Sequence, residues 1–252
     1  MKEIELSGGA VSAPMKVGDT VRRVAGPWTP TVHALLKYLV SHGFTKVPRP
    51  LGMDDQHREI LTYLPGEAAH RPWPEVLKTE AGLQQVARML REYHDKVAGF
   101  VPPEGAQWRI GSGQPGPGEI IRHGDLGPWN TLWQGDTLVG LLDWDFAEPG
   151  QRITDVAQLA WYFVPLRGED GWRKAGFDER PDFLARVEAI CEAYGRYNAR
   201  EVLTELDRLQ QADLELTSRL GGSGVHPWNL FYDRGGMKII QDENAWLRAE
   251  ML

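Results

Sequence analysis

The sequence predicts an α+β chain of two lobes, a small β-rich one over residues 1–65 and a larger, mostly helical one over residues 66–252. Three observations carry this expectation. Residues 3–62 hold short strand-like runs broken by Gly and Asp turns. Residues 79–97 and most of the chain beyond 153 carry apolar residues at helical spacing. The texture changes after Pro65-Gly66, which marks the join.

Taken in order, VSAPMKV and TVRRV read as strands, with turns at Gly8-Gly9 and Gly18-Asp19. In TVHALLKYLVSHGF the residues Val32, Leu35, Leu36, Leu39 and Val40 form a helical stripe that ends near Gly43, and Thr29 or Thr31 is placed to cap it. VPRPLGMDDQHREILTYLPGE reads as two strands around a polar turn at Asp54-Asp55. TEAGLQQVARMLREYHDKV is a long amphipathic helix, and residues 101–118 are a Gly- and Pro-rich loop. A short strand (EII) and a strand pair (NTLW, TLVGLLDW) follow, and then helices.

Bulk properties narrow the function. A chain of 252 residues buries a substantial core. A net charge of -7 argues against nucleic acid as a partner; it suits a cationic ligand, or it serves solubility alone. The single cysteine, Cys191, cannot pair within the chain, so a reducing, cytoplasmic setting is expected. No run reaches the ~20 apolar residues that span a bilayer, so no membrane partner is expected.

The densest chemistry lies at 122–150, RHGDLGPWNTLWQGDTLVGLLDWDFAEPG. His123-Gly124-Asp125 leads, Asn130 follows five residues after the Asp, and Asp143-Trp144-Asp145 ends an apolar strand. A hairpin turning at Gly135-Asp136 separates the two groups, and a hairpin brings its ends together. Asn130 and Asp143 should therefore lie side by side, with Asp125 reaching the same place from the preceding loop. Such hard oxygen donors suit Mg²⁺, which keeps waters and adds phosphate oxygens. The spacing matches the phosphoryl-transfer template, in which a loop Asp takes the substrate hydroxyl proton while an Asn and a second Asp hold metal. The plainer reading is turn residues, and Asp136 fits it. Asp145 is open between a second metal ligand, a neighbour tuning the first, and a loop cap. An echo, HPWN at 226–229 with Asp242 beyond, has Gly224 in the place of Asp125 and no apolar strand between, so it reads as coincidence.

HGDLGPWNTLW followed by GLLDWDFAEPG resembles the aminoglycoside phosphotransferase family, part of a larger group with a protein-kinase-like fold. EILTYLPGE, LREYHD and DVAQLAW extend the resemblance over most of the chain. It implies a two-lobed kinase-like fold with Asp125 as catalytic base and Asn130 and Asp143 as Mg²⁺ ligands. It further implies that His123 orients the loop, that Asp155 anchors that loop from the start of a helix, and that Thr62, Tyr63 and Leu64 form a hinge contacting adenine. Read plainly, Asp155 is a helix N-cap or first-turn acid.

The template also wants a strand Lys paired with a helix Glu. Here the strand offers Arg22 and Arg23, and the helix has no Glu; His33 or Val32 sits near its place. Val21 and Arg23 share one strand face, so Arg23 is the candidate phosphate contact, with Arg22 and then Lys16 behind it. Surface or packing cations are the plain alternative. The expectation is thus an ATP- or GTP- and Mg²⁺-dependent phosphotransferase acting on a hydroxyl of a small molecule. The acceptor is an aminoglycoside or other amino sugar, or else a choline-like or macrolide alcohol. A catalytically lapsed nucleotide binder and a metal-dependent hydrolase are the rivals. Glu148, Asp155, Glu169, Asp170, Asp178 and Glu179 either line a cationic acceptor's site or form a solvated acidic face.

Overall fold

In a computed structural model of the protein, which describes residues 3–6, 14–111 and 113–252, the first strands form one antiparallel sheet. They are β1 (Glu3–Glu5), β2 (Met15–Val17), β3 (Thr20–Val24), β4 (Pro50–Met53) and β5 (Arg58–Thr62), in the order β1-β2-β3-β5-β4. The turn at Gly18-Asp19 joins β2 to β3; Gly8-Gly9 lies outside the described residues. The β4–β5 turn is held by the Asp54 carboxylate, which accepts the Gln56 and Arg58 N–H groups at 2.9 Å each, an Asx turn. In the β3–β5 register Arg23 stands opposite Glu59 and Arg22 opposite Ile60. Alternation buries Arg23 and turns Arg22 outward, where its Nε lies 3.7 Å from Asp54.

Helix α1 (Thr29–Ser41) crosses between β3 and β4, and Val32, Leu35, Leu36 and Leu39 are its buried stripe. It starts differently from expectation. Trp28 occupies the N-cap position, and neither threonine caps. The Thr29 hydroxyl accepts from Gly26 N–H at 2.9 Å, and the Thr31 hydroxyl accepts from Gln107 N–H at 3.1 Å. Both hydroxyls are drawn to loop amides that would otherwise go unpaired.

After β6 (Glu67–Ala68) and the single turn α2 (Glu75–Lys78) comes α3 (Glu80–Val97). The Asp-rich segment begins with β7 (Ile120–Arg122), passes a 3₁₀ turn (Pro128–Asn130), and forms the expected hairpin of β8 (Thr131–Gln134) and β9 (Thr137–Leu141). β6 pairs with β8, and β10 (Glu148–Gly150) pairs antiparallel with β7. Neither β6 nor β10 is long enough to show an alternating pattern in sequence. The Tyr93 hydroxyl on α3 donates to Ile121 O at 2.6 Å, and the Tyr93 ring meets Trp144 edge-on, tying α3 to the Asp-rich segment.

The remainder is helical: α4 (Arg152–Phe163), α5 (Glu169–Lys174), α6 (Phe183–Tyr194), α7 (Ala199–Gly222), α8 (Trp228–Asp233) and α9 (Gly236–Glu250). Asn198 and Glu201 form a capping box on α7, and Gly195 closes α6 in the left-handed region. Cys191 is buried on α6, and burial pushes its thiol up to about 11. Among the described residues, no helix is long and apolar enough to cross a membrane. By packing, the chain divides into two compact units, one of residues 1–70 and 88–155, the other of residues 71–87 and 156–252. The join at 65/66 lies inside the first unit, which holds both the N-terminal sheet and the β8–β9 hairpin.

Candidate active site

The hairpin does what its register requires. Thr131 pairs with Leu141, and Leu142 N–H donates to Asn130 O at 2.8 Å, so Asn130 lies beside the strand that delivers Asp143. Asn130 is buried and spends its side-chain N–H groups on Asp125, on the backbone O and on Oδ2, both at 2.8 Å. That turns its amide oxygen away from Asp125 and leaves it as a donor atom for a cation. Asp143 leaves β9 with φ +56, a left-handed conformation uncommon outside glycine and here set at the strand's exit. Its side chain keeps 34% of its surface exposed.

Behind these residues lies a buried hub. Asp155, in the first turn of α4, is fully buried. It accepts from His123 N–H at 2.7 Å, from Gly124 N–H at 3.2 Å and from His94 Nε2 at 3.1 Å. Burial pushes its carboxyl upward, but the His94 hydrogen bond and the nearby Arg122 and His123 outweigh burial and hold it below the usual range. Burial pushes His94 and His123 downward, so both rings are neutral at pH 7. The His123 tautomer follows from its partners. Leu142 O can only accept, so Nε2–H donates to it at 3.0 Å, and Nδ1 accepts from Asp125 N–H at 3.2 Å. His123 thus bonds at once to the Asp125 loop and to the residue before Asp143. Gly124 has φ +77, and a Cβ there would stand 2.1 Å from Phe146 O, so only glycine fits.

Arg23 lies at the other side of Asp143. Its Nε donates to Glu59 at 2.8 Å, Nη1 to Asp143 at 2.9 Å and Nη2 to Asp145 at 2.5 Å. Burial alone would weaken its charge, but Asp143, Asp145 and Glu59 outweigh that and hold the guanidinium firmly protonated. Asp145 is buried, its carboxyl is raised mainly by desolvation, and it also accepts from Arg109 Nη1 at 3.3 Å. The Arg109 guanidinium lies 4.3 Å from the Trp28 ring and 4.8 Å from that of Phe146. Asp145 therefore stands between two arginines. The remaining expected residues lie elsewhere in the first unit. Arg22 is at Asp54, and Lys16 stacks over Tyr63 at 3.6 Å. Tyr63 N–H is spent on Asp19 O at 2.9 Å and Thr62 N–H on Arg49 O at 2.9 Å, so a base at the hinge would have to use carbonyls or Leu64.

Sequence reasoning missed three residues. Glu59 was legible from the register, because it is the cross-strand partner of Arg23. His94, in LREYHD, had the signal of a histidine on a buried helix face. Arg109 sits in the Gly- and Pro-rich loop, which carries no periodicity. Two of the six acids expected toward the acceptor are committed structurally instead, Asp155 in the hub and Glu148 in an ion pair with Arg122. The echo is helical: Asn229 lies on α8, and Asp242 lies on α9, where it pairs with Lys238.

Among the described residues, no three His, Cys, Asp or Glu side chains converge to hold a metal. An Asn and an Asp oxygen nonetheless suit Mg²⁺, which completes its shell with phosphate and water. Glu59, Asp143, Asp145 and Asp125 outnumber Arg23 and Arg109, so the site carries net negative charge that a divalent cation would offset.

The chain is similar to several known proteins. Residues 108–189 match the family model described as the phosphotransferase enzyme family, APH. The trifolitoxin immunity protein of Rhizobium leguminosarum bv. trifolii is 35% identical over 202 residues, covering 77% of this chain and 74% of that protein. Similar solved structures include the GDP complex of aminoglycoside 2'-phosphotransferase-IIIa (TM-score 0.61, 14% identity, 97% of this chain and 93% of that one). A choline/ethanolamine kinase family protein from Mesorhizobium loti is also similar (TM-score 0.59, 15%, 99% and 93%). So is macrolide 2'-phosphotransferase MphH from Brachybacterium faecium (TM-score 0.58, 16%, 98% and 91%). At such identities the structures speak for the fold, which is protein-kinase-like, with a strand-rich N-terminal portion and a helical C-terminal part. The 35% identical relative, together with the match over residues 108–189, shows that the chain belongs to the aminoglycoside phosphotransferase family of phosphotransferase enzymes.

Proposed function

We propose that the protein transfers the terminal phosphoryl group of a nucleoside triphosphate, ATP or GTP, to a hydroxyl of a small molecule. The observation that carries this reading is the joint placement of Asp125, Asn130 and Asp143 by one hairpin and one buried hub. Asp125 is the base: it receives the acceptor's hydroxyl proton as the new O–P bond forms and the bond from the terminal phosphorus to the departing diphosphate breaks. Its backbone is fixed by His123, and its carboxylate is oriented by Asn130. Asn130 and Asp143 would hold Mg²⁺, which supplies charge neutralisation on the phosphates. Arg23 is the strand cation that faces phosphate oxygens, and the segment Thr62–Leu64 of the 1–65 lobe is the place for the base.

That the chain keeps Asp125, Asn130 and Asp143 supports catalysis over a lapsed nucleotide binder. The acceptor is an amino sugar or another small-molecule alcohol, and a cytoplasmic setting suits a nucleotide donor. A second reading of the biological role has its own support. The 35% identical relative is named for immunity to trifolitoxin, which favours a hydroxyl-bearing toxin as acceptor and its inactivation as the outcome. The test is a panel of aminoglycosides, choline-like and macrolide alcohols and trifolitoxin, each incubated with MgATP or MgGTP and read by mass spectrometry. A gain of one phosphate on any acceptor supports transfer. No product with any of them, and no nucleotide binding, overturns it.

A further inference from the structure

The phosphoryl-transfer template orients its strand cation with a glutamate from the neighbouring helix. Helix α1 has none, yet Arg23 is buried and bonded to three carboxylates, Glu59, Asp143 and Asp145. Its cross-strand partner Glu59 is 2% exposed and takes both Nε and Nη2 of the guanidinium on Oε1, at 2.8 and 2.7 Å. The other oxygen, Oε2, lies 2.9 Å from Nε2 of His33 on α1. A carboxylate only accepts, so His33 Nε2–H is the donor. Glu59 is held ionised: burial raises its carboxyl, but the His33 hydrogen bond and the Arg23 charge outweigh burial. His33, Glu59, Arg23 and Asp145 thus form one connected chain from the helix, through two strands, to the segment after β9.

We propose that Glu59 is a positioning residue that aims Arg23 at the phosphates, with His33 linking its carboxylate to helix α1. The carboxylate has moved from the helix to the next strand, and the helix reaches it through an imidazole. This inference rests on the phosphotransferase reading above and deepens it. A purely structural Glu59, one that only neutralises a buried arginine, is the competing account. The two differ in what a relocated carboxylate restores.

The experiment uses the full chain with MgATP as the probe, reading nucleotide binding, release of inorganic phosphate to water, and the thermal melt. Glu59→Gln keeps the shape and the contact to His33 but removes the charge. Turnover is expected to fall on the order of 10- to 100-fold, the scale of a misaimed group, with nucleotide still bound. Adding His33→Glu returns a carboxylate to the helix position whose side chain lies 2.9 Å from the Glu59 carboxylate, and the double variant is expected to recover most of the lost turnover even if its melt stays low. Glu59→Asp, the milder change, serves if Glu59→Gln does not fold; it should show turnover between wild type and background with a folded melt. Wild-type turnover in whichever of the two folds, or a double variant no better than Glu59→Gln, overturns the proposal. If the wild-type protein neither binds MgATP nor releases phosphate, the phosphotransferase reading itself fails, and this inference with it.

Discussion

Two clusters of charge sit within the same unit and are built on opposite plans. The hub around Asp155 is closed. Its carboxylate, both histidines and two backbone amides are buried and mutually satisfied, and burial keeps the imidazoles neutral. The cluster around Asp143 is open. Its carboxylates outnumber its guanidiniums, Asp143 is strained and part-exposed, and the buried Arg109 Nε has no partner. A closed polar network fixes geometry; an open one leaves unspent charge and unspent donors for a ligand. On the proposed function the first serves stability and the second chemistry, and substitutions in the two should separate along that line.

The largest effect is expected in the hub. Asp155→Ala removes the acceptor of the His123 and Gly124 amides and of His94 together. Breaking a buried charged network costs about 3–5 kcal/mol, so the thermal midpoint should drop sharply and turnover should vanish with the fold. The hub also sets an acid limit. His94 and His123 have folded pKa values below the ordinary 6.5, so the unfolded chain binds more protons below that pH, and stability falls with acidification. Asp155, also depressed, adds stability that is lost as pH falls further, through its folded value. The melting temperature should be flat above pH 7 and decline from about pH 6.5 downward. A protein equally stable at pH 5 and pH 7.5 would contradict the neutral-histidine hub.

Asp125→Asn sharpens the contrast from the open side. It keeps the shape and the loop hydrogen bonds, so the melt should stay close to wild type. Turnover should fall ~10²–10⁴-fold, the range for losing a general base. A melt that collapses with the activity would place Asp125 with the hub instead of the chemistry.

The open and closed clusters differed in how far the sequence disclosed them. Asp125, Asn130 and Asp143 were legible because a hairpin with Gly135-Asp136 at its turn converges its flanking residues whatever the tertiary context. Asp155 was legible as a helix-start acid, but its partner His94 was not, because a histidine on an apolar helix face does not announce a carboxylate sixty-one residues away. Glu59 was recoverable only by aligning two strands, since it replaces a helix residue with a sheet residue and leaves the spacing of REILT ordinary. The threonines of TPT suggested a cap that tertiary contacts with Gly26 and Gln107 claimed instead. Arg109 follows no period at all.

The arginine pair on β3 tests the same division within two adjacent residues. Arg23→Ala takes a cation out of the open cluster and leaves Glu59 to His33 and Asp145 to Arg109. Turnover should fall about 10²-fold or more, as when one donor to developing charge is lost, and Arg23→Lys should recover part of it. Arg22→Ala removes a part-buried ion pair with Asp54 and should cost about 1 kcal/mol in stability, with turnover near wild type. If Arg22 proved the more sensitive, the β3–β5 register would be wrong by one residue.

The smallest effect is expected at the sequence echo. HPWN at 226–229 repeats three of the four letters of GPWN at 127–130, and Asp242 stands from Asn229 as Asp143 stands from Asn130. The structure gives the two copies different backbones. The first is a 3₁₀ turn opening a hairpin; the second runs through α8 and α9, and no strand returns Asp242 to Asn229. Asp242 is an exposed i,i+4 partner of Lys238 on α9, a contact of roughly 0.3–0.5 kcal/mol at most. Asp242→Ala should therefore leave MgATP binding, turnover and the melt unchanged within error, whereas Asp143→Ala should remove Mg²⁺-dependent nucleotide binding. Equal losses from the two substitutions would mean that the letters matter more than the hairpin, and that the second segment is a working site.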